Sequence, residues 1–262
     1  SFQAFCDGKH LVPLPDARDY KRAFDDDKGP NTGGMGSYKD ACDKLPFMTA
    51  ADRERELAVA TKIFVKWRRK LKDDSALRGV PLYLAFMHTG DELKILENNS
   101  RPGDPEIITI LPVLKDDFVD VCFKMLEGSL TRVELEKAAT VLTYKVPPSY
   151  GGYADAFPKA VDKAAVDTPV DLSKAYALSS KYGDRIRVYP AAMENRNGKV
   201  YALKSRAVGV LGVGKDIEEA RQISLEGAKA ITGGALWNRT DIASKQHLAK
   251  SLSHMETLRR KP

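Results

Sequence analysis

The sequence has little cysteine and no long apolar run. Its three cysteines, Cys6, Cys42 and Cys122, are widely spaced and odd in number, which argues against a disulfide framework and against a zinc site. We expect each to be a buried free thiol. No stretch approaches the roughly 20 apolar residues of a membrane span, and the first residues lack the layout of a signal peptide. The sequence therefore predicts a cytoplasmic protein that does not enter a membrane.

The chain also lacks a strong excess of one charge sign. Its 42 Lys and Arg residues are interleaved with 36 Asp and Glu residues, for a net charge of +6. The strongest basic cluster, residues 66–70 (Lys-Trp-Arg-Arg-Lys), lies in a helical pattern, and we interpret it as a solvated helix face. Binding of RNA or of an acidic partner is the alternative for this cluster. Anionic substrates would account equally well for the remaining basic excess, so a nucleic-acid partner is not expected.

What the chain does have is the composition of a globular protein. It contains 262 residues, of which 43% are hydrophobic and 30% charged, enough for one large core or two modest ones. Internal repeats and low-complexity segments are absent from the sequence. The pattern of elements favours an α+β fold, with a change of character near residue 132.

In the first half of the chain, the sequence pattern predicts two hairpins and three helices. Residues 2–6 and 11–14 form strands around a turn at Asp7-Gly8-Lys9, and residues 81–87 and 93–96 form strands around Thr89-Gly90-Asp91. Helices are expected after the capping box that opens at Thr49, after Asp104-Pro105, and over residues 118–126 before Gly128.

The second half predicts a small sheet with helices. Strands are expected over residues 140–146, 185–193 and 199–213, with a turn at Asn197-Gly198 before the last one. A capping box at Asp216 opens a helix that should end at Gly233-Gly234, and residues 244–262 form a basic helical tail.

Two polar motifs carry the chemistry of the chain, and the first is rich in glycine. Residues 29–36 read Gly-Pro-Asn-Thr-Gly-Gly-Met-Gly. Such glycines permit positive φ angles and leave main-chain N–H groups unshielded, which allows a loop to wrap around phosphate. No Gly-Lys-Ser or Gly-Lys-Thr follows, so this is not a Walker A loop. A surface loop without a ligand is the alternative, although Pro30 and Asn31 favour a defined turn.

The second motif, residues 97–106, reads Glu-Asn-Asn-Ser-Arg-Pro-Gly-Asp-Pro-Glu. If a strand reaches Asn99, then Glu97 and Asn99 project from the same face and Asn98 from the other. Two oxygen ligands at this spacing suit Mg²⁺, which takes its remaining ligands from water and phosphates. Arg101 offers a fork of donors for phosphate or carboxylate. A polar strand end followed by a capped helix is the alternative.

Together these motifs resemble those of the phosphoribosylamine-glycine ligase family, also called glycinamide ribonucleotide synthetases, in the ATP-grasp superfamily. The resemblance rests on Asp-x-Lys-Arg from Asp19, on residues 29–36, on residues 97–106 and on the signature Trp-Asn-Arg-Thr-Asp-Ile at 237–242. It covers nearly the whole chain, and residues 140–147 are closest to the archaeal branch. It implies the carboxyl half of an ATP-grasp module, an antiparallel sheet with helices, over residues 1–131, and the small mixed C-terminal domain of the family over residues 132–262.

The resemblance further implies ATP-dependent ligation of glycine to 5-phosphoribosylamine through a glycyl phosphate, with Mg²⁺ or Mn²⁺. Each site residue takes its role from the family. Glu97 and Asn99 would be metal ligands, and Asp19 and Arg101 would be catalytic. Phosphate and substrate would be bound by Lys21, Asn31, Gly33, Gly34 and Gly36. Asp104 and Glu106 are expected to support the loop around Arg101 rather than to contact substrate.

The sequence also departs from the family. The domain that binds phosphoribosylamine and the lid over ATP would precede Ser1, so this resemblance implies that the 262 residues alone lack ligase activity and need a missing N-terminal half. Tyr20 replaces the usual His, and Asn98 and Pro102 replace aromatic residues. We expect Asn98 to face the core, where an unsatisfied amide costs about 1 to 3 kcal/mol. Ala85 stands where archaeal relatives tend to carry an oxygen ligand.

Two other functions stay open at this point. One is a non-catalytic binding or assembly module that keeps the ATP-grasp scaffold, and the other is a different ATP-grasp carboxylate-amine ligase. The intact Glu97, Asn99 and Arg101 argue against the first, and the glycine-rich run argues against the second.

Overall fold

The computed structural model describes residues 1–90, 92–150 and 161–260. The chain divides into two compact units. Unit 1 consists of residues 1–18, 39–137 and 248–262, and unit 2 of residues 19–38 and 138–247. The family-domain boundary between residues 131 and 132 stays a prediction.

The described part of the chain contains both β-strands and α-helices. The strands are β1 (Phe2–Asp7), β2 (Leu11–Pro13), β3 (Arg18–Asp19), β4 (Arg22–Phe24), β5 (Lys28–Asn31), β6 (Gly36–Lys39), β7 (Arg78–His88), β8 (Leu93–Asn99), β9 (Ala139–Lys145), β10 (Val170–Asp171), β11 (Ile186–Pro190), β12 (Met193–Arg196), β13 (Lys199–Ala202), β14 (Val208–Gly214) and β15 (Thr232–Gly233). The helices are α1 (Ala50–Leu71), α2 (Phe118–Glu127), α3 (Ser173–Ala177), α4 (Ser179–Tyr182), α5 (Ile217–Ala230) and α6 (Lys245–Arg260).

Unit 1 is built on an antiparallel sheet of order β2-β1-β7-β8. Successive side chains of a strand point to opposite faces of the sheet, so alternate residues of β1 pack in two different hydrophobic cores. Phe2 and Ala4 pack with Phe64 of α1, whereas Phe5 packs with Val121 of α2. The two helices therefore cover opposite faces of this sheet.

The capping box predicted for α1 is confirmed. The Thr49 hydroxyl accepts from the Asp52 amide at 3.1 Å, and the Asp52 carboxylate accepts from the Thr49 amide at 2.8 Å. Two of the otherwise unpaired N–H groups of the helix start are satisfied in this way. The basic residues Lys66, Arg69 and Lys70 on this helix are exposed, as the reading of a solvated helix face requires.

Unit 2 contains an antiparallel sheet of order β11-β14-β9-β6-β3 and a smaller one of order β12-β13-β10-β15. Helix α5 packs on the larger sheet, and Asp216 caps its start by accepting from the Glu219 amide at 2.9 Å. The predicted turn at Asn197-Gly198 joins β12 and β13, and both of its residues have positive φ angles, as a two-residue hairpin turn demands.

Several local predictions were wrong. No α-helix begins at Asp104, because residues 106–109 and 111–113 form only short 3₁₀ turns, whose cap residues are Pro105 and Ile110 and provide no side-chain cap. This segment is rich in β-branched isoleucine and contains Pro112, which disfavour a longer helix. The strand expected over residues 199–213 is interrupted between β13 and β14. Helix α5 ends at Ala230, before the expected Gly233-Gly234.

The cysteine prediction is correct for one of three residues. All three thiols are free, but only Cys6 is buried, whereas Cys42 is exposed and Cys122 half-buried. Burial raises the pKa of the Cys6 thiol to about 12, helped by the nearby charge of Asp7. Within the described ranges, no helix combines the length and the apolar composition that crossing a membrane would require.

Candidate functional site

The candidate metal ligands lie on β8, the edge strand of the sheet in unit 1. Glu97 and Asn99 project from one face, as predicted, and the Asn99 side-chain amide donates a hydrogen bond to Glu97 Oε1. Their cross-strand neighbours on β7 are Ala85 and Tyr83. Glu97 is exposed and Asn99 half-buried, so both side chains are accessible to a ligand from solvent.

The donor set fits a hard divalent cation that keeps part of its own shell. A carboxylate and an amide oxygen are the ligands that Mg²⁺ accepts, and Mg²⁺ usually retains several waters. No group of three or more His, Cys, Asp and Glu side chains suited to a metal occurs among residues 1–90, 92–150 and 161–260. Glu97 and Asn99 could hold such an ion only together with water or phosphate oxygens.

The expectation that Asn98 faces the core is wrong, because its side chain is exposed. Its cross-strand neighbour Leu84 is fully buried under α1, but β8 lies at the sheet edge, where helix cover ends. Asn98 therefore carries no cost of an unsatisfied buried amide. Ala85 lies directly opposite Glu97 and contributes no side-chain oxygen there.

The loop after β8 is held by a buried carboxyl. Glu106 is 1% exposed, and its Oε1 accepts from the Tyr83 hydroxyl at 2.9 Å and from the Ser1 hydroxyl at 2.7 Å. The Gly103 amide donates to the Gln3 side chain at 2.7 Å, and a Cβ at Gly103 would come within 2.5 Å of the Tyr83 ring. The supporting role predicted for Glu106 agrees with these contacts.

Arg101 is the predicted catalytic residue of this loop. Its side chain is exposed, and one guanidinium nitrogen donates to the Pro102 carbonyl at 2.8 Å. Because the side chain is accessible, the other N–H groups of the Arg101 guanidinium can reach a ligand from solvent. Unit 1 thus brings Glu97 and Asn99 together, with Arg101 two residues beyond the end of the strand.

The glycine-rich segment belongs to unit 2, where it is tied to residues 20 and 21. The amides of Thr32 and Met35 donate to the carbonyls of Lys21 and Tyr20, at 2.7 and 2.8 Å. In return the Tyr20 amide donates to the Gly36 carbonyl at 3.1 Å. The segment is therefore an ordered turn, as Pro30 and Asn31 indicated.

Part of its main chain is already engaged inside the protein. The Gly34 amide donates to the Thr32 hydroxyl at 3.1 Å, and the Met35 amide is used as described above. The sequence led us to expect unshielded N–H groups along the whole run, which is wrong for these two residues. In the predicted phosphate-binding set, Lys21, Asn31 and Gly33 are exposed, whereas Gly34 and Gly36 are buried.

Close packing explains the need for glycine at position 36. A Cβ there would come within 2.2 Å of the Leu142 carbonyl oxygen, and the residue has a φ of +156°. The Gly33 carbonyl faces the Arg206 guanidinium at 3.5 Å, and the Tyr150 hydroxyl donates to the Gly34 carbonyl at 3.4 Å. The carbonyl side of the segment is thereby satisfied by unit 2 itself.

The predicted residues Asp19 and Lys21 form an ion pair at 2.7 Å beside this segment. The Asp19 side chain is 6% exposed and that of Lys21 51% exposed, so the lysine extends toward solvent. Arg22 donates to the Gly29 carbonyl at 2.9 Å, across the β4–β5 ribbon. A buried carboxylate beside an accessible cation is suited to holding an anionic substrate group.

Sequence reasoning missed a buried arginine that organises this region. Arg239 is fully buried in unit 2 and donates to the carboxylates of Asp241 and Asp27 and to the Arg22 carbonyl, at 2.6 to 3.0 Å. Its guanidinium carbon lies 4.9 Å from the centre of the Tyr20 ring. The sequence offered one signal of this buried ion pair, namely that Arg and Asp occur together in the signature at 237–242.

The charges of this cluster stabilise one another. Burial raises the pKa of Asp27, but hydrogen bonds from His247 and Arg239 outweigh it and hold that pKa below its ordinary value. Burial lowers the pKa of Arg239, and the carboxylates of Asp241 and Asp27 more than offset this, so its pKa is raised. Ion pairs therefore persist here although the Arg239 guanidinium is removed from water.

Comparisons with known proteins identify relatives. Residues 1–107 match the family described as Phosphoribosylglycinamide synthetase, ATP-grasp (A) domain. The chain is 38% identical over 265 residues to the phosphoribosylamine-glycine ligase of Methanocella arvoryzae, covering 99% of this chain and 55% of the relative. The crystal structure of the phosphoribosylamine-glycine ligase of Thermotoga maritima is 27% identical, with a TM-score of 0.66, over 92% of this chain and 54% of that one.

A more distant structure agrees on the fold. Phosphoribosylglycinamide synthetase from Anaerococcus prevotii has 11% identity and a TM-score of 0.53, over 88% of this chain and 52% of that one. The predicted α+β, ATP-grasp-like fold and the resemblance read from the motifs are confirmed. The chain spans about half the length of the curated relatives that it matches.

Proposed function

Because the chain is a relative of the phosphoribosylamine-glycine ligases along nearly its whole length, we propose that it serves ATP-dependent ligation of glycine to 5-phosphoribosylamine. The products would be glycinamide ribonucleotide, ADP and phosphate. The observation that carries the proposal is the joint presence of this relationship and of the accessible oxygen pair of Glu97 and Asn99.

The metal part of the proposal assigns Glu97 and Asn99 as ligands of Mg²⁺ or Mn²⁺. A bound divalent ion would neutralise phosphate charge during phosphoryl transfer. Asn99 would turn its amide oxygen toward the ion, which requires its present hydrogen bond to Glu97 Oε1 to break. This change needs only a rotation of the side chains, because Glu97 and Asn99 stay at the same positions on the strand.

The phosphate part of the proposal concerns unit 2. Lys21 would contribute a cation, and the exposed Asn31 and Gly33 would contribute donors to an anionic group of the substrates. Asp19 would hold the Lys21 ammonium through their 2.7 Å ion pair, and Gly34 and Gly36 would shape the turn. Catalysis of phosphoryl transfer by such groups consists of positioning and of charge neutralisation.

Arg101 has the remaining role in the proposal. Its exposed guanidinium would bind a carboxylate or phosphate oxygen and would stabilise the negative charge of the glycyl phosphate. The substrates are small and soluble in water, so the proposal keeps the cytoplasmic location expected from the sequence.

The test uses Mn²⁺, whose unpaired electrons broaden nearby NMR signals even when binding is weak. We expect Mn²⁺-ADP added to the 262-residue chain to broaden the signals of residues 97–99 first, and Glu97→Gln to weaken this effect at least tenfold. Glu92→Gln is the matched control, because Glu92 is an exposed carboxylate that precedes the same strand. Equal broadening in wild type and Glu97→Gln would refute the metal assignment.

A further inference from the structure

We propose that Arg239 is a positioning residue for the glycine-rich segment, through residues 20–27. The proposal rests on the function given above, because it treats residues 29–36 as the phosphate-binding turn. All of the residues involved belong to unit 2. For clarity, residues 237–247 are called the anchor segment.

The first step is that the anchor segment holds residues 22–27 at successive positions. Arg239 donates to the Arg22 carbonyl at 3.0 Å, and the Trp237 indole donates to the Ala23 carbonyl at 3.1 Å. Backbone and side-chain atoms of residues 25–27 then contact the anchor segment in turn, through the pairs Asp25–Thr240, Asp26–Asp241 and Asp27–His247 at 2.5 to 2.9 Å. These contacts reach five of the six residues 22–27 and hold this stretch against the anchor segment.

The second step concerns Tyr20, which is buried and is fixed at both its ring and its hydroxyl. The ring lies under the Arg239 guanidinium, and the hydroxyl oxygen accepts from the Ala243 amide at 2.9 Å. His247 Nδ1 lies 3.3 Å from the same oxygen. Tyr20, where the family usually has His, is thereby a structural contact of the anchor segment.

The third step leads from Tyr20 to the glycine-rich segment. The carbonyls of Tyr20 and Lys21 accept the amides of Met35 and Thr32, and the Gly36 carbonyl accepts the Tyr20 amide. A displacement of residues 20 and 21 would therefore shift the turn that contains Gly33. The contact series runs from Arg239 through residues 20–22 to this turn.

Arginine is required at position 239 by the geometry of its donors. One planar guanidinium serves two carboxylates and one main-chain carbonyl while its face covers the Tyr20 ring. Lysine would keep the charge but has a compact ammonium without a planar fork. Arg239→Lys should therefore keep unit 2 folded with its charges paired, while the contact with Arg22 or with Asp27 is lost.

The experiment measures amide hydrogen exchange by NMR on the whole chain without ligand. We expect Arg239→Lys to reduce protection of the Thr32 and Met35 amides at least tenfold, because these amides report the link to residues 20 and 21. Amides of the β9–β14 ladder, such as those of Val141 and Val210, should keep their protection within about twofold. Arg185→Lys is the control, since its exposed guanidinium pairs with Glu219 elsewhere in unit 2.

A milder variant keeps the test decisive if Arg239→Lys fails to fold. Asp27→Asn retains an acceptor for Arg239 and should reduce the same protection about threefold. Unchanged protection at Thr32 and Met35 would overturn the proposal. An equal loss of protection across the β9–β14 ladder would overturn it as well, because Arg239 would then have a general structural role.

A titration with inorganic tripolyphosphate separates this proposal from the proposed function. We expect tripolyphosphate to shift the Gly33 amide signal, with about tenfold weaker affinity in Arg239→Lys when both proteins are titrated well below their melting temperatures. Equal affinities in the two proteins would count against positioning by Arg239. If the wild-type signals do not shift at all, the phosphate-binding assignment fails, and the exchange data alone decide the role of Arg239.

Discussion

Asp16 is a buried carboxyl in unit 1 that lies between a cation and a second acid. It is 1% exposed, and it contacts the Arg53 guanidinium, which also donates to the Leu14 carbonyl at 2.5 Å. Burial raises its pKa most, the Arg53 charge lowers it, and Glu56 raises it further, to a value of about 8. The folded chain therefore retains the Asp16 proton at neutral pH.

This proton predicts a pH dependence of stability. Below about pH 4 the carboxyl is protonated in both states, whereas between pH 4 and 8 only the folded state keeps the proton. The free energy of unfolding should therefore fall as pH rises in this window, by up to about 1.4 kcal/mol per pH unit. Urea denaturation at pH 5 to 8 measures this slope.

Asp16→Asn removes the titrating group and should flatten the pH profile between pH 5 and 8. Asp120→Asn, at an exposed carboxylate of the same unit, is the control and should leave the slope unchanged. Identical slopes for wild type and Asp16→Asn would contradict the retained proton.

Alanine substitutions at two glycines distinguish the stability lost through steric overlap from the stability lost through an unfavourable φ angle. Gly36→Ala places a Cβ within 2.2 Å of a main-chain oxygen, and we expect a loss of at least about 3 kcal/mol or failure of unit 2 to fold. Gly198→Ala also has a positive φ angle, but no atom lies within 4 Å of its Cβ, so its cost should be about 1 kcal/mol. Thermal unfolding of both variants tests this order, and a smaller loss for Gly36→Ala would contradict the packing described here.

At the scale of elements, the start of α1 is stabilised by its reciprocal cap. Thr49→Ala removes the acceptor for the Asp52 amide, and we expect unit 1 to lose about 1 kcal/mol. Thr49→Ser keeps a hydroxyl at this position and should lose much less. The free energy of unfolding from urea titration, followed by circular dichroism, provides the measurement. Equal losses for the two variants would show that the hydroxyl contributes nothing.

The elements that were predicted correctly have local causes. The Thr49 and Asp216 caps, the turn at Asn197-Gly198 and the end of α2 at Gly128 all depend on residues within a few positions of one another. Their hydrogen bonds and φ angles are set by residue type, so the sequence alone reveals them. The same holds for the common face of Glu97 and Asn99, which follows from the two-residue period of a strand.

The features that were missed depend on distant contacts. Asn98 was placed in the core because it replaces an aromatic residue of the family and points to the face opposite Glu97 and Asn99, but the exposure of β8 follows from its edge position in the sheet. The role of Arg239 depends on Asp27 and Arg22, more than 200 residues earlier in the chain. The engaged amide of Met35 likewise depends on the Tyr20 carbonyl, which lies in an earlier strand region of the chain. A single sequence contains no direct record of such pairs.

At the scale of the whole molecule, the chain matches only about half the length of its curated relatives. We therefore expect the purified 262-residue chain to form no measurable glycinamide ribonucleotide from glycine, ATP and 5-phosphoribosylamine. Release of ADP, followed by a coupled assay, provides the measurement, with the complete Methanocella arvoryzae ligase as positive control. Turnover that depends on glycine would contradict this expectation.

The two parts of unit 2 lie far apart in the sequence, so their contacts form late during protein synthesis. Asp25 can form its hydrogen bond with Thr240 only after the ribosome has made a further 215 residues. At roughly 5 to 20 residues per second, translation of that interval takes on the order of 10 to 40 seconds. During this time the partners of residues 22–27 have not been made, and the three consecutive aspartates 25–27 give the unpaired segment the charge that favours its hydration.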